Sequence, residues 1–293
     1  MNTKNQYRFF EDRIEKLLCA DQVERDIHIW EAGKPKGVLI AIHGALAHGG
    51  DYCTMAKSFN NKQWHMLSFD MRGHNVQRRV HFNRFDELLD DLALFIKWTK
   101  KEYPHLPVFI VGHSMGGLLT GLYALHRETT DDEIQGYVLS APYWANAVPV
   151  PAILKLLAGV LSTLLPRARA PLEDFLDVLT HDANITERHK QDEADDIRAR
   201  EVSFRFANEM FNAHKNIDKN IAQWRKPLFI AIAGDDKLTD SKKIVDYLGR
   251  INSQFVEAHR YANNFHENFN ETNRETIFNS IEVWLDKQLV RSN

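Results

Sequence analysis

The chain has 293 residues, of which 44% are hydrophobic and 26% charged, with a formal net charge of -3. That is ample material for a large α/β core, and the balanced charge with no basic stripe argues against nucleic acid as a partner. The two cysteines, Cys19 and Cys53, match neither a disulfide framework nor a metal-ligand spacing, so a reduced cytoplasmic setting with no metal site is expected.

The opening Met1-Asn2-Thr3-Lys4-Asn5-Gln6-Tyr7-Arg8 carries no apolar signal core. Residues 26–31 alternate with period two and predict an early, half-exposed strand. Gly37–Ile42 reads as a buried strand running into the loop His43-Gly44-Ala45, and residues 65–70 as another strand. Between positions 82 and 103, Phe85, Leu88, Leu89, Leu92, Phe95, Ile96 and Trp98 recur at helical spacing, predicting an amphipathic helix on one sheet face. Residues 108–111 are a short β-branched run, 118–125 suit a buried helix, and 136–140 read as a further strand. Such alternation predicts an α/β fold with a mostly parallel, doubly wound sheet.

From 144 to 224 the alternation stops and no convincing strand is legible. We read this stretch as a helical cap inserted between two halves of the α/β domain, residues 1–143 and 225–293. Its most apolar part, 147–165, contains Pro149, Pro151 and Lys155 and falls short of a membrane span of about 20 residues. The sheet pattern resumes at Leu228–Ala233, with a helix near 241–251, a strand near 254–261 and a last helix over 271–289.

The chemistry centres on Gly112-His113-Ser114-Met115-Gly116-Gly117, a serine framed by glycines between a strand and a helix. Small neighbours let the chain turn sharply, so that the hydroxyl projects above the sheet with a helix N-terminus beneath it. A serine nucleophile needs a base, and the base an orienting carboxylate. Both are expected in loops beyond later strands, and two such loops follow the cap. Gly234-Asp235-Asp236-Lys237-Leu238-Thr239-Asp240 offers the acid, and Ala262-Asn263-Asn264-Phe265-His266-Glu267 offers His266 as the base. Spacing alone does not separate Asp235, Asp236 and Asp240; those not orienting the histidine are expected to cap the next helix. The oxyanion hole is expected from the backbone N–H groups of Met115 and Ala45. His43 reads as a prop for its loop and also as a substrate-binding candidate. His113 is assigned a packing role.

Placed together, these residues resemble an α/β-hydrolase of the monoacylglycerol lipase and lysophospholipase branch, with its serine aminopeptidase S33-type relatives. The resemblance covers nearly the whole chain. It rests on His43-Gly44-Ala45, Asp70-Met71-Arg72-Gly73-His74, the serine turn, Gly234-Asp235-Asp236-Lys237-Leu238 and Phe265-His266-Glu267 followed by Asn270-Glu271. Ser140-Ala141-Pro142 and Leu179-Thr180-His181-Asp182 add to it. It implies Ser114 as nucleophile, Asp236 as acid and His266 as base, with a cap that forms an acyl-chain channel. Three positions depart from the family pattern: Asn75 and Gln77 stand where glycine and serine are usual, and Asn263 replaces a glycine. Asparagine tolerates positive φ, which would preserve the turn.

The expected activity is hydrolysis of a single-acyl lipid, a monoacylglycerol or lysophospholipid, through an acyl-enzyme and without a cofactor. Leu154, Leu157 and Leu161, on the apolar segment 153–165, are the cap's substrate-binding candidates. The segment is expected to lie buried over the site. Its second reading is a face that meets a membrane surface transiently, with Lys155, Arg167 and Arg169 near anionic headgroups. Three alternatives remain: an esterase for small esters, a prolyl-aminopeptidase-like enzyme, and a silent binding protein of the same fold. The peptidase would hold a substrate amine with the acidic run 192–196, which otherwise reads as a solvated helix face.

Overall fold

The computed structural model describes residues 8–74 and 78–292. Asn75, Gln77 and the segment before Arg8 lie outside the described residues. Along the chain come strands β1 (Arg13–Leu18), β2 (Glu24–Trp30) and β3 (Gly37–Ile42), helix α1 (Cys53–Asn61), β4 (Trp64–Phe69), the short β5 (Arg79–Val80), α2 (Asp86–Glu102), β6 (Val108–His113), α3 (Met115–His126) and β7 (Ile134–Ser140). Next come α4 (Ala152–Leu164), β8 (Arg169–Ala170), α5 (Ala183–Ala194), β9 (Glu201–Ser203) and α6 (Phe204–Asn220). The chain closes with β10 (Leu228–Ala233), α7 (Ser241–Leu248), β11 (Val256–Tyr261) and α8 (Arg274–Ser292).

An eight-stranded sheet runs in the order β1-β2-β4-β3-β6-β7-β10-β11. β2 is antiparallel to β1 and to β4, and every other pairing is parallel. The strand order reverses between β3 and β6. A crevice therefore opens beyond their carboxyl ends, where open α/β sheets place their sites. Both strands are buried on both faces, so they read as continuous apolar runs, yet period two still divides them. Val38, Ile40, Ile42 and Ile110 pack with residues of α2 and α3, whereas Leu39, Ala41, Phe109 and Val111 pack with residues of α1 and α8.

Several expectations need correction. β1 and α1 have no counterpart in the sequence reading. β2 is not half-exposed along its length, because its last four residues are all buried under β1 and β4. The stretch between β7 and β10 does contain strands: β8 and β9 join β5 in a small sheet of order β5-β9-β8. Strands of two or three residues are too short to display a period in sequence.

The apolar segment is also placed differently. Helix α4 packs on α6, and Lys155 Nζ lies 5.7 Å from the centre of the Phe211 ring. Yet Ile153, Leu154, Leu156, Leu157, Val160, Leu164 and Leu165 are all exposed, with Leu164 at 70%. The helix is not a buried lid. Among the described residues no helix is long and apolar enough to cross a membrane.

Candidate active site

Ser114 stands between β6 and α3 with φ 53° and ψ -120°, a conformation that costs a non-glycine residue free energy. The strain sits on the serine, and the flanking glycines are needed for close approach. A Cβ on Gly116 would lie 2.1 Å from the Ile42 carbonyl oxygen and 2.6 Å from that of His43. On Gly112 it would lie 2.7 Å from the Gly116 carbonyl. The turn is held by Ser114 N–H donating to the Ser140 carbonyl at 3.1 Å, and by the Ser114 carbonyl accepting from Leu118 and Tyr143.

His266, in the loop after β11, brings its Nε2 to 2.7 Å from Ser114 Oγ and its Nδ1 to 2.8 Å from Asp236 Oδ2. All of the Asp236 carboxylate is used, since its other oxygen accepts from the N–H groups of Leu238 at 2.8 Å and Thr239 at 2.9 Å. Burial by itself would push the Asp236 pKa up, but the charge and hydrogen bond of His266 and the two N–H donors bring it below the usual value. The pKa of His266 moves the opposite way: burial disfavours its charged form, and Asp236, with help from Glu267, more than offsets this. The other two aspartates stand apart. Asp235 is exposed and paired with Lys237, while Asp240 caps α7 by accepting from Lys242 N and Lys243 N.

The loop after β3 crosses beside the serine, so close that a Cβ on Gly44 would be 3.3 Å from Ser114 Cβ. His43 holds that loop: its Nδ1 donates to the Gly44 carbonyl at 2.8 Å and its Nε2 accepts from Met71 N–H at 3.0 Å. Burial lowers its pKa to about 4, so it stays neutral in that double role. Asp70-Met71-Arg72-Gly73-His74 braces the loop from behind. Arg72 forks onto Asp91 with two bonds of 2.9 Å, Gly73 turns at φ 77°, and the His74 ring centre lies 4.9 Å from that of His43. Met115 opens α3, where a backbone N–H has no intrahelical acceptor. Ala45 lines the same cavity as Ser114. His113 donates Nδ1–H to the Ser140 carbonyl at 3.2 Å and packs beside His266.

Ser114 and His266 open into a cavity of about 350 Å³, at the lower end of the range for small-molecule sites. Its apolar wall comes from Leu172, Phe175, Val202, Phe206, Met210 and Phe211. Leu154, Leu157 and Leu161 do not line it: the first two are exposed and Leu161 is half-buried. Sequence reasoning missed α6, although Phe206, Met210, Ala213 and Ile217 recur on one helical face and are buried. Asn263 is not among the residues with positive φ, so the turn before His266 does not draw on the tolerance expected of it.

In the acidic run Asp195 and Asp196 are exposed, as a solvated face requires, whereas Asp192 points inward. Asp192 is fully buried, with Arg8 at 2.6 Å and His48 Nε2 at 3.4 Å. His48, Asp51 and Asp192 gather their donor atoms within 4.8 Å of one another. Both carboxylates are already held by guanidinium groups, Asp192 by Arg8 and Asp51 by Arg198 at 2.7 Å, which makes the group an ion-pair network.

Behind His266 a second network ties its loop to residues 179–181. Glu271 accepts from Phe265 N–H at 2.8 Å and from His181 Nδ1 at 2.9 Å. Glu267 N–H donates to the Leu179 carbonyl at 2.8 Å, and Thr180 Oγ1 to the Asn270 carbonyl at 2.8 Å. The acids and amides that follow His266 thus position its loop.

This geometry has known counterparts. The family model described as serine aminopeptidase, S33, matches residues 33–273. The chain is 27% identical over 263 residues to phospholipase YtpA of Bacillus subtilis (strain 168), covering 89% of this chain and 99% of that protein. It is 26% identical over 261 residues to monoacylglycerol lipase of Mycolicibacterium smegmatis, covering 87% and 90%. Its fold is similar to that of a soluble variant of monoglyceride lipase from Saccharomyces cerevisiae solved with a substrate analog, with a TM-score of 0.83, 23% identity and 94% of each chain covered. The chain belongs to the serine aminopeptidase S33 family, in the monoacylglycerol lipase and lysophospholipase branch of the α/β-hydrolases, and is a carboxylic-ester hydrolase.

Proposed function

We propose that the protein cleaves single-acyl lipids, a monoacylglycerol or a lysophospholipid, through an acyl-enzyme on Ser114. The observation that carries this reading is the continuous Asp236–His266–Ser114 hydrogen-bonded chain at a mostly apolar cavity. His266 Nε2 takes the Ser114 proton as Oγ attacks the ester carbonyl. The N–H groups of Ala45 and Met115 receive the developing oxyanion. His266 then protonates the leaving alcohol, activates water and so releases the fatty acid. Asp236 keeps the imidazole in the tautomer that presents Nε2 to the serine. Residues 144–224 act as the cap and supply most of the apolar wall. The peptidase alternative loses its support, because Asp192 is committed to Arg8 and does not line the cavity.

The test has two parts: peptide mass spectrometry after fluorophosphonate treatment, and fatty-acid release from mono-, di- and triacylglycerols of one chain length. The reading expects one adduct on Ser114 and fastest release from the monoacyl ester. No adduct on folded protein, or equal turnover of the triacyl ester, refutes it.

The exposed apolar face of α4 supports a second element of the proposal, contact with a lipid surface. Lys155, Arg167 and Arg169 lie on or just after that helix, and Arg169 is largely exposed, which suits anionic headgroups. Fully burying one leucine stabilises by about 2 kcal/mol. Leu156→Asp and Leu164→Asp are therefore each expected to weaken sedimentation with anionic vesicles by about 10-fold or more. Unaltered vesicle binding in both would refute docking through α4.

A further inference from the structure

His266 reaches Ser114 and Asp236 together only if two loops meet in register, and neither loop is helix or strand. The base loop is held on both sides of His266 by uncharged side chains. Asn264 stands two residues before it and Asn268 two residues after it, and both are buried, Asn268 fully. Asn268 Nδ2 donates to the Ala231 carbonyl at 3.1 Å and reaches Ser140 Oγ at 3.4 Å. Asn268 Oδ1 accepts from Asn264 Nδ2 at 3.0 Å. Asn264 in turn exchanges two bonds with Asn273, at 3.1 Å and 2.9 Å, so both of its amide hydrogens and its oxygen are used. The polarity of this chain is fixed at one end. A carbonyl only accepts, so Asn268 turns its NH2 group to Ala231 and its oxygen to Asn264.

The two anchors of Asn268 belong to the other two segments of the site. Ser140 ends β7, and its carbonyl accepts from Ser114 N–H at 3.1 Å, which makes it part of the hold on the nucleophile turn. Ala231 lies on β10, the strand that runs into Gly234-Asp235-Asp236, and its carbonyl also accepts from Ala141 N–H at 2.9 Å. Asn264 adds a backbone tie to the acid loop, since its carbonyl accepts from Asp235 N–H at 3.0 Å. One side chain, Asn268, therefore touches structure tied to each of the segments that carry Ser114, Asp236 and His266. It is neutral and its hydrogen bonds are made, so neither salt nor pH near neutrality weakens its hold, unlike that of the Glu267 and Glu271 pairs beside it.

We propose that Asn268 is a positioning residue for catalysis: it holds the base loop in register with the nucleophile turn and the acid strand, so that His266 spans the 2.7 Å to Ser114 Oγ and the 2.8 Å to Asp236 Oδ2 at once. Asn268 is not part of the cavity wall, to which the same stretch contributes Glu267, Phe269 and Asn270, so it acts through His266 and not on substrate. The hold matters because proton transfer is steep in distance, and a misplacement of about 1 Å costs about 100-fold in rate. Removing the side chain leaves its partners supplied, since the Ala231 carbonyl keeps Ala141 N–H and Asn264 keeps Asn273. The fold therefore has support that the geometry of His266 does not. The role rests on the reading of Ser114, Asp236 and His266 as the catalytic triad.

The experiment compares the wild type with Asn268→Ala and Asn268→Leu. Each protein is labelled to completion with a fluorophosphonate to count its reactive serines, and kcat and KM for a monoacylglycerol are measured across the pH range in which His266 titrates. Leucine fills the volume of asparagine without its hydrogen bonds, so a role in packing alone would be restored by Asn268→Leu and a role in positioning would not. Both variants are expected to lose about 10- to 100-fold in kcat per labelled serine, with KM changed by no more than about 2-fold. The titratable groups facing His266 are Asp236, Glu267 and His113, and both variants keep all three. As the imidazole drifts from Asp236 its main raising influence weakens while burial remains, so the rising limb of activity is expected to move to lower pH. Wild-type kcat per labelled serine in either variant, or an unmoved pH limb, overturns the positioning role and leaves the triad standing. Failure of Ser114 to label in the wild type overturns the triad reading itself.

Discussion

Ser114→Ala is expected to lower kcat for any ester by about a millionfold, the scale seen when a triad nucleophile is removed. Only Oγ is lost. The backbone N–H groups of Ala45 and Met115, the cavity and the Asp236–His266 bond all remain, so the residual rate over water reports binding and oxyanion stabilisation alone. The variant is expected to fold, because alanine and serine share a Cβ and meet the same strain at φ 53°. Ser114→Gly separates the two costs that this position carries. It is equally inactive, yet glycine adopts positive φ freely, so its Tm is expected to rise above that of Ser114→Ala. Steady-state hydrolysis with thermal melts of the three proteins makes the comparison. Appreciable turnover by folded Ser114→Ala would remove the serine mechanism.

Asp236→Asn is expected to reduce kcat by about 10⁴-fold. The asparagine retains an oxygen to accept from Leu238 and Thr239, but it offers His266 no charge and favours the wrong tautomer. The pH profile carries the signature. His266 acts as a base only when neutral, and its pKa is raised above the ordinary 6.5 because Asp236 outweighs burial. Activity of the wild type should therefore rise with pH through a midpoint above 6.5. Without Asp236 the main raising influence is lost and burial remains, so the residual activity of Asp236→Asn should rise at lower pH. Asp235→Asn and Asp240→Asn are the controls. The first removes an exposed pair with Lys237, and the second puts another good N-cap residue on α7. Near-normal activity in Asp236→Asn, with loss in either control, would reassign the acid.

Some of this site was legible because local chemistry demands particular residues. Gly112, Gly116 and Gly117 surround Ser114 because backbone passes within contact distance of each, and that need is written within the single turn 112–117. The order serine, acid, histidine followed from strand and loop signals: Ser114 and Asp236 come after the apolar strands β6 and β10, and His266 after the mixed strand β11. The choice of Asp236 was different. Residue type and spacing left Asp235, Asp236 and Asp240 equivalent, and only the resemblance to the family separated them. In the folded chain the separation is physical: one carboxylate points inward to His266, one meets Lys237 in solvent and one caps a helix.

The sequence by itself determined the α/β class, the glycine-framed turn at Ser114 and the two loops that bring Asp236 and His266 to it, because strand runs, tight turns and close backbone contacts are local requirements on residue type. Tertiary structure alone decided which apolar side chains meet substrate and which meet solvent. Ile153–Leu165 and the α6 positions Phe206 and Met210 are equally apolar, yet the first set is largely exposed and the second lines the cavity. It also decided that Asp192 is buried against Arg8, a partner 184 residues away. Burial and charge pairing depend on what the rest of the chain brings alongside, and no local window of sequence contains that partner.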